Sequence, residues 1–550
     1  MPVITFDLGD LKAAGYEAER LVNMLPTMGI EVEGIEGTEL TVSITPNRQD
    51  LLDYVGFVRA LDNFTGKKVP REGQYAIKNK PTMTIEVTKA VQKIRPYIAG
   101  LVAKNVDLSG NKVKYMINFT NKFADTYGRR RKKIGMGVHD LRRISGQIVY
   151  DAAEDGKITP LESQKEMSFA EVVKKNAMGV EYGGMYAGKK VLYPFIKDSE
   201  KTLVLVPIVQ CEQTKTTDVT KDIFVEITGT SKKAVEETAN LVACSLIYSG
   251  ADVYPVTIKY SDATDQTPKL EYREMKVNMR TADRTLGVET ARHDVVKLAN
   301  KTGYVAAKYG NNILFYVPPF RIDVLNEQDL IEDIAIAYGY DNIIPLPVTG
   351  SADGLADEVA ELENKAAVTM VGAGYLEAMN SMLTNETVSF RSTKNDHEDY
   401  DYVKIADAKS ENISMLRTDL IPELLQNLQG SAGERMPQRL FEIGRVFKIR
   451  DGKTVESIRL GIVTEHSRAN FSEIKSVVAA YLRNMGVESF TLVDKKGFPF
   501  IDGRYARIKV GEEYIGVLGE IHPQVLANFG IEEPVAAAEL YIVREVQYQV

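Results

Sequence analysis

Apolar positions change period repeatedly along the chain. Residues 16–26 carry them at helical spacing. Residues 39–44 alternate, with Leu40, Val42 and Ile44 on one side, as a half-buried strand does. The turn Thr45-Pro46-Asn47-Arg48 follows, and residues 50–61 return to a helical pattern. Gly66, Pro70 and the polar stretch to Pro81 predict a linker. Residues 223–227 read as a strand. Ser231 caps a helix whose Val235, Ala239, Val242 and Leu246 recur at helical spacing, and Gly250 stops it. Residues 253–258 return as a strand in which Pro255 favours an edge position. A helix over 291–302 precedes strands at 304–307 and 313–317, and Pro318-Pro319 breaks the ladder. A helix followed by a two-stranded ribbon predicts a winged-helix-like module. The last third carries a long helix to Gly374, strands at 440–449 and 458–464, and a helix over 472–484. A hairpin closes around Gly511-Glu512-Glu513.

At 550 residues the chain exceeds what one core holds. The predicted fold class is α+β and multidomain, with modules over 1–80, 84–265, 268–346 and 352–550. A net charge of −8 excludes a global nucleic-acid signature, so any RNA contact is local or shared with a partner chain. Two cysteines, Cys211 and Cys244, exclude a disulfide framework and a thiolate zinc site. The start lacks a basic, then apolar, leader pattern, and no apolar run is long enough to cross a bilayer. A soluble, cytoplasmic protein with no membrane contact is expected.

The densest candidate chemistry is acidic. Asp329, Glu332 and Asp333 fall at i, i+3 and i+4, sharing a helix face, and Asp323 lies about a turn and a half upstream. Like charges at this spacing call for compensation. A hard divalent cation such as Mg2+ is the simplest candidate, taking one or two carboxylates directly with waters completing the shell. The simpler alternative is a solvated face at a helix start, with Leu330, Ile331 and Ile334 as the buried stripe. A Mg2+-dependent phosphotransfer enzyme ranks low, since no glycine-rich phosphate loop accompanies the carboxylates.

Five segments in order resemble one family. They are Thr45-Pro46-Asn47-Arg48-Gln49-Asp50-Leu51-Leu52; Gly135-Met136-Gly137-Val138-His139-Asp140-Leu141; the acidic segment continuing to Tyr338-Gly339-Tyr340-Asp341-Asn342; Leu416-Arg417-Thr418-Asp419-Leu420 with Phe441-Glu442-Ile443-Gly444-Arg445; and Gly519-Glu520-Ile521-His522-Pro523. The sequence resembles the β subunit of phenylalanyl-tRNA synthetase in its archaeal and eukaryotic form.

The resemblance implies an (αβ)2 tetramer with an α subunit that joins L-phenylalanine to tRNA(Phe) using ATP. It implies Mg2+ at Asp323, Asp329, Glu332 and Asp333, near the α contact. It implies a class II synthetase-like last module without catalysis, consistent with the absence of a Gly-x-Gly-x-Gly-x-x-Arg segment. Arg417 and Arg445 then read as structural. It implies that the second module is an α/β proofreading domain that hydrolyses tyrosyl-tRNA(Phe). There His139 orients the ester or a water, Glu212 accepts from the tyrosine hydroxyl, and Thr214 and Thr216 supply hydroxyl contacts. A pocket built to bond that hydroxyl rejects phenylalanine strongly, because its polar group is otherwise left unpaired. Residues 178–190 diverge from the family pattern, which leaves a chain without proofreading as an alternative.

A freestanding tRNA-binding or trans-editing protein is the alternative reading of the whole. The run Arg129-Arg130-Arg131-Lys132-Lys133 fits either a tRNA phosphate contact or a solvated helix C-terminus, where cations are also favoured. The second is the simpler. His293, His397 and His466 show no metal-ligand spacing.

Overall fold

The computed structural model of the chain describes residues 1–186, 191–289, 294–348, 350, 354–395, 401–408 and 410–546. These divide into two compact units, Met1–Pro347 and Val348–Val550.

The first unit opens with an antiparallel sheet in which Glu39–Ser43 lies between Val3–Asp7 and Glu31–Glu36. The helix expected over 16–26 is Ala18–Met24 followed by the 3-10 turn Leu25–Met28. The helix expected over 50–61 is broken. A 3-10 turn Gln49–Leu52 precedes the helix Tyr54–Phe64, which Asp53 caps by accepting from the Gly56 N–H at 3.2 Å. The turn folds so tightly onto the helix that a Cβ on Gly56 would stand 1.9 Å from the Asp50 carbonyl oxygen. Only glycine permits that approach. The stretch 66–81 is not a free linker. Tyr75 is buried edge-on against Phe320 at 5.6 Å, and the Lys78 N–H donates to Val253 O.

A ten-stranded mixed sheet follows. From its middle to one edge it runs Met83–Val87, Asp252–Lys259, Tyr97–Lys104, Ile223–Gly229, Ile134–Asp140. Every residue of Ile223–Gly229 is buried, because both faces of the sheet are covered. One face packs Leu101, Val138 and Val225 against Phe6, Phe57 and Leu241. The other packs Val102 and Phe224 against Ile85, Ile148 and Val204. The strand of Pro255 is interior, contrary to the edge position its proline predicts. Residues up to Pro255 pair with Tyr97–Lys104, and from Val256 the strand pairs with Met83–Val87 and Thr264–Thr267. The missing N–H falls where the strand changes partners.

The last module of this unit is a three-stranded sheet, Arg273–Asn278, Asn312–Val317 and Val305–Tyr309 in that order, with helices Met279–Leu286, Val295–Lys301 and Glu327–Tyr338. The strand Arg273–Asn278 goes unread in the sequence because charged residues outnumber its two apolar positions, Met275 and Val277. The helix expected over 291–302 begins at Val295, since Asp294 caps it by accepting from the Lys297 N–H at 3.2 Å. Residues 290–293 lie outside the described residues.

The second unit is built on a seven-stranded sheet, antiparallel except for the Leu376–Glu377 edge. Its centre is the long hairpin Gln438–Arg450 and Lys453–Glu465. Asp451 and Gly452 both take positive φ at the tip. The hairpin expected around residue 511 is present as Phe500–Val510 and Glu513–Ile521. The helix Phe471–Asn484 packs on the face of this sheet through Ile474, Val478 and Leu482.

Candidate active site and a buried charge network

Strand alternation decides what surrounds His139. On Ile134–Asp140, residues 135, 137 and 139 face one way; on the neighbouring Ile223–Gly229, residues 224, 226 and 228 face the same way. The register pairs Phe224 with His139, Glu226 with Gly137, and Thr228 with Gly135. On its other side Glu226 pairs with Gly100. A carboxyl therefore lies between two glycines on a fully packed sheet. A Cβ on Gly137 would stand 2.5 Å from Glu226 Oε1 and 3.3 Å from His139 Nε2. Glycine inside a strand marks such close approach.

His139 has no exposed surface and Glu226 is 2% exposed. His139 Nδ1 lies 2.7 Å from Thr214 Oγ1, and Cys211 Sγ lies 3.1 Å from the same hydroxyl. His139 Nε2 and Glu226 Oε2 have no hydrogen-bond partner. Two orphaned polar atoms on one buried face are costly unless something else comes to meet them. Burial pushes the Glu226 carboxyl up to about 8, opposed by the Arg95 guanidinium, and pushes His139 down to about 4. Both side chains are thus neutral at pH 7. Arg95 is itself held by Thr228, donating to its Oγ1 at 3.1 Å and its carbonyl at 2.8 Å.

These shifts fix a pH dependence. Between about 4 and 6.5 the unfolded His139 binds more protons than the folded one, so its contribution is lost as pH falls. Glu226 acts oppositely: between 4.5 and about 8 the folded carboxyl holds its proton and the unfolded one does not, so stability falls as pH rises. Above pH 6.5, of these two groups, only the Glu226 slope remains; Glu423 in the second unit, also pushed up by burial to about 8, adds a slope of the same sign there. At the transition of the first unit, wild-type stability should fall by about 2 kcal/mol between pH 6.5 and 8, and Glu226→Gln should flatten that slope. Urea unfolding across this range is the check; an unchanged slope in the variant would count against the assignment.

The other expected proofreading residues lie on the loop that carries Thr214. Glu212 opens the 3-10 turn Glu212–Thr214, is half-buried, and accepts from the Glu162 N–H through Oε2 at 2.6 Å. No hydrogen bond joins it to His139. Thr216 is buried two residues beyond Thr214. Gln213 lines an open polar cavity of about 550 Å3 shared with Gln147, Lys157, Thr159 and Lys197. The structure thus joins His139 and Thr214 and leaves Glu212 at a distinct, more exposed position. It adds Glu226, which sequence reasoning missed; a lone carboxylate amid Ile-Phe-Val-Ile beside a Gly-x-Gly strand was the available signal.

The acidic segment divides. Arg321, 2% exposed, donates to both oxygens of Asp323 at 2.9 and 2.8 Å and to Asp333 Oδ2 at 2.6 Å. The Tyr304 hydroxyl also donates to Asp333. Asp329 instead closes the helix start. Its Oδ2 accepts from the Leu325 and Asn326 N–H groups at 2.6 and 2.9 Å, in a capping box with Asn326. Glu332 is exposed. Among the described residues, no three His, Cys, Asp or Glu side chains converge as metal ligands do. The compensation expected from a cation is supplied to Asp323 and Asp333 by Arg321. The network extends to the first module: Arg48 grips Asp50 at 2.9 and 3.0 Å, Arg59 lies 3.7 Å from Asp50, and Arg59 stacks over Phe320 at 3.5 Å. Three cations, Arg48, Arg59 and Arg321, meet three carboxylates, Asp50, Asp323 and Asp333.

In the second unit Arg417 is 2% exposed and bonded to Glu442 at 2.6 Å and to the Arg445 carbonyl at 2.9 Å. It is part of the interior. His466 Nε2 lies 2.7 Å from Glu473; His293 and His397 are outside the described residues. No helix among the described residues is long and apolar enough to cross a membrane.

Three family profiles match in order: the B3/4 domain over residues 79–246, the tRNA synthetase B5 domain over 275–340, and the phenylalanyl tRNA synthetase beta chain CLM domain over 344–542. The arrangement is that of an aminoacyl-tRNA synthetase component. The phenylalanine–tRNA ligase beta subunit of Archaeoglobus fulgidus is 31% identical, with 98% of each chain covered. That of Methanosphaera stadtmanae is 32% identical, covering 98% of this chain and 99% of that one. The crystal structure of an N-terminal fragment of the phenylalanyl-tRNA synthetase beta subunit from Pyrococcus horikoshii matches with a TM-score of 0.58 at 28% identity, covering 61% of this chain and 99% of the fragment. This chain belongs to the family of phenylalanine–tRNA ligase β subunits.

Proposed function

We propose that this chain works with an α subunit, in an (αβ)2 tetramer, to attach phenylalanine to tRNA(Phe), and that its own chemistry is the hydrolysis of tyrosyl-tRNA(Phe). The observation that carries the hydrolytic reading is the buried polar group of His139, Thr214 and Glu226 over Gly137, with Nε2 and Oε2 unpartnered in an otherwise apolar sheet. When Nδ1–H donates to Thr214, Nε2 is left with its lone pair. A water donating to Nε2 and accepting from the protonated Glu226 is aimed by both. With a pKa of about 4, His139 orients the water rather than keeping its proton. Glu212, on the more exposed side of the same loop, is the acceptor assigned to the tyrosine hydroxyl.

The synthetic site is assigned to the α subunit. Arg417 is buried against Glu442 and so does not present its guanidinium to ATP. The test is direct. The chain alone should form no phenylalanyl-adenylate, and the complex with α should form it; adenylate made by the lone chain would overturn the assignment.

For Mg2+ the fit rests on two residues. Asp323 and Asp333 are neutralised by Arg321, whereas Asp329 Oδ1 and the exposed Glu332 carboxylate remain available. Asp329 and Glu332 would hold the ion, with waters completing its shell. When bound, Mg2+ supplies charge neutralisation where the helix Glu327–Tyr338 begins. Glu332→Gln should weaken Mg2+ binding to the assembled complex about tenfold, measured by calorimetry on the metal alone. Identical binding by the variant would remove Glu332 from the ligand set.

A further inference from the structure

The basic run 129–133 is built unlike an ordinary helix end. The helix Lys112–Asp125 stops, and the N–H groups of Arg129, Arg130 and Arg131 donate to the carbonyls of Thr126, Asp125 and Ala124. This closure puts three successive arginines in the left-handed region, at φ 52°, 51° and 64°. Glycine or asparagine is the usual residue there, since a Cβ meets the following carbonyl. Arg131 has a reason to be arginine. It is buried, donates to the carbonyls of Pro207 and Ile208 and to Asn121 Oδ1, and lies over the Tyr182 ring at 4.2 Å.

Arg129 and Arg130 have none among the described residues. Both are exposed, and among the described residues neither guanidinium has a hydrogen bond, ion pair or ring contact. They sit on strained backbone beside like charges. Burial, Arg129 and Lys233 all push the Lys133 ammonium down, opposed by Glu237. Lys132 is exposed on the same turn. A strained, self-repelling group of cations held in place by one buried member is explained by a ligand that supplies the missing negative charge.

We infer that Arg129, Arg130 and Lys132 grip the phosphate backbone of RNA. The inference rests on the chain's acting on a tRNA, not on the hydrolytic chemistry. On a chain of net charge −8, RNA is repelled except where cations cluster, so such a local grip is required for backbone contact. Its place suits an acceptor arm. The strand Ile134–Asp140 leads from the grip to His139, about 20 Å at ~3.3 Å per residue. That length spans several nucleotides, so the phosphates held lie away from the terminal ester.

The test uses the αβ complex and an unmodified, uncharged tRNA(Phe) transcript, with binding followed by fluorescence anisotropy over a range of KCl. Arg129→Gly with Arg130→Gly should weaken binding at low salt at least tenfold and reduce the log–log salt slope by about 1.8, the value for two phosphate contacts. The thermal midpoint should stay or rise, because glycine accepts positive φ. Arg129→Lys with Arg130→Lys should keep most of the slope. An unchanged slope would overturn the inference, as would equal displacement of the transcript by polyglutamate. A lowered midpoint with unchanged affinity would assign the arginines to helix termination instead. Since no ester is cleaved, failure here and failure of the hydrolytic reading are separately visible.

Discussion

Arg321→Ala should lower the stability of the first unit by about 3–5 kcal/mol, the largest effect expected of any single substitution described above. The guanidinium is almost wholly enclosed and bridges Asp323 and Asp333 through three short hydrogen bonds. Without it, two buried carboxylates face each other with only the Tyr304 hydroxyl as donor. Arg321→Lys keeps the charge but loses the fork that binds Asp323 by two parallel bonds, so it should recover only part of the loss. Arg321→Met combined with Asp323→Asn and Asp333→Asn should recover more, because an uncharged interior avoids the desolvation cost. Urea unfolding of the full chain, read at the transition of the first unit, measures all three. A loss under about 1 kcal/mol for Arg321→Ala would show that water reaches the network and screens it.

His139→Ala should slow release of tyrosine from tyrosyl-tRNA(Phe) about 100-fold, toward the lower end of what a positioned acid–base group contributes. The low end is expected because burial makes His139 a weak base, useful for aiming a water more than for removing its proton. Thr214→Val should show the same defect in smaller measure, since Thr214 fixes which ring nitrogen faces Glu226. Charging with phenylalanine should be unaffected in both variants. A fall in charging would mean that the substitutions had disturbed the fold.

Strong local periodicity carried over into the structure where one physical signal dominated. Ser231 caps its helix, and the helix runs Lys232–Tyr248 as its apolar spacing predicts. The hairpin at Gly511 is likewise present. Non-local contacts decided the failures. Pro255 argues for an edge by its missing N–H, yet the strand is interior because its ladder changes partners at that residue. Residues 66–81 look like a linker because they are polar, but Tyr75 finds Phe320 from another module. For the acidic segment, whose Mg2+ stands as a proposal, helix spacing displays the carboxylates but not the internal counter-charge of Asp323 and Asp333. Arg321 lies outside the helix, and Arg48 and Arg59 belong to another module. At the candidate site the sequence pointed to His139 and Thr214 through family resemblance, which the fold brings together. Glu226 was hidden because cross-strand register, not sequence proximity, sets it over Gly137.

The most direct test is single-turnover deacylation of tyrosyl-tRNA(Phe) by the native complex, with phenylalanyl-tRNA(Phe) as the competing substrate and His139→Ala as the control. The proposed site should release tyrosine at least 100-fold faster than phenylalanine, and the variant should release tyrosine about 100-fold more slowly than the native complex. Equal rates for the two esters, or full tyrosine release without His139, would contradict it.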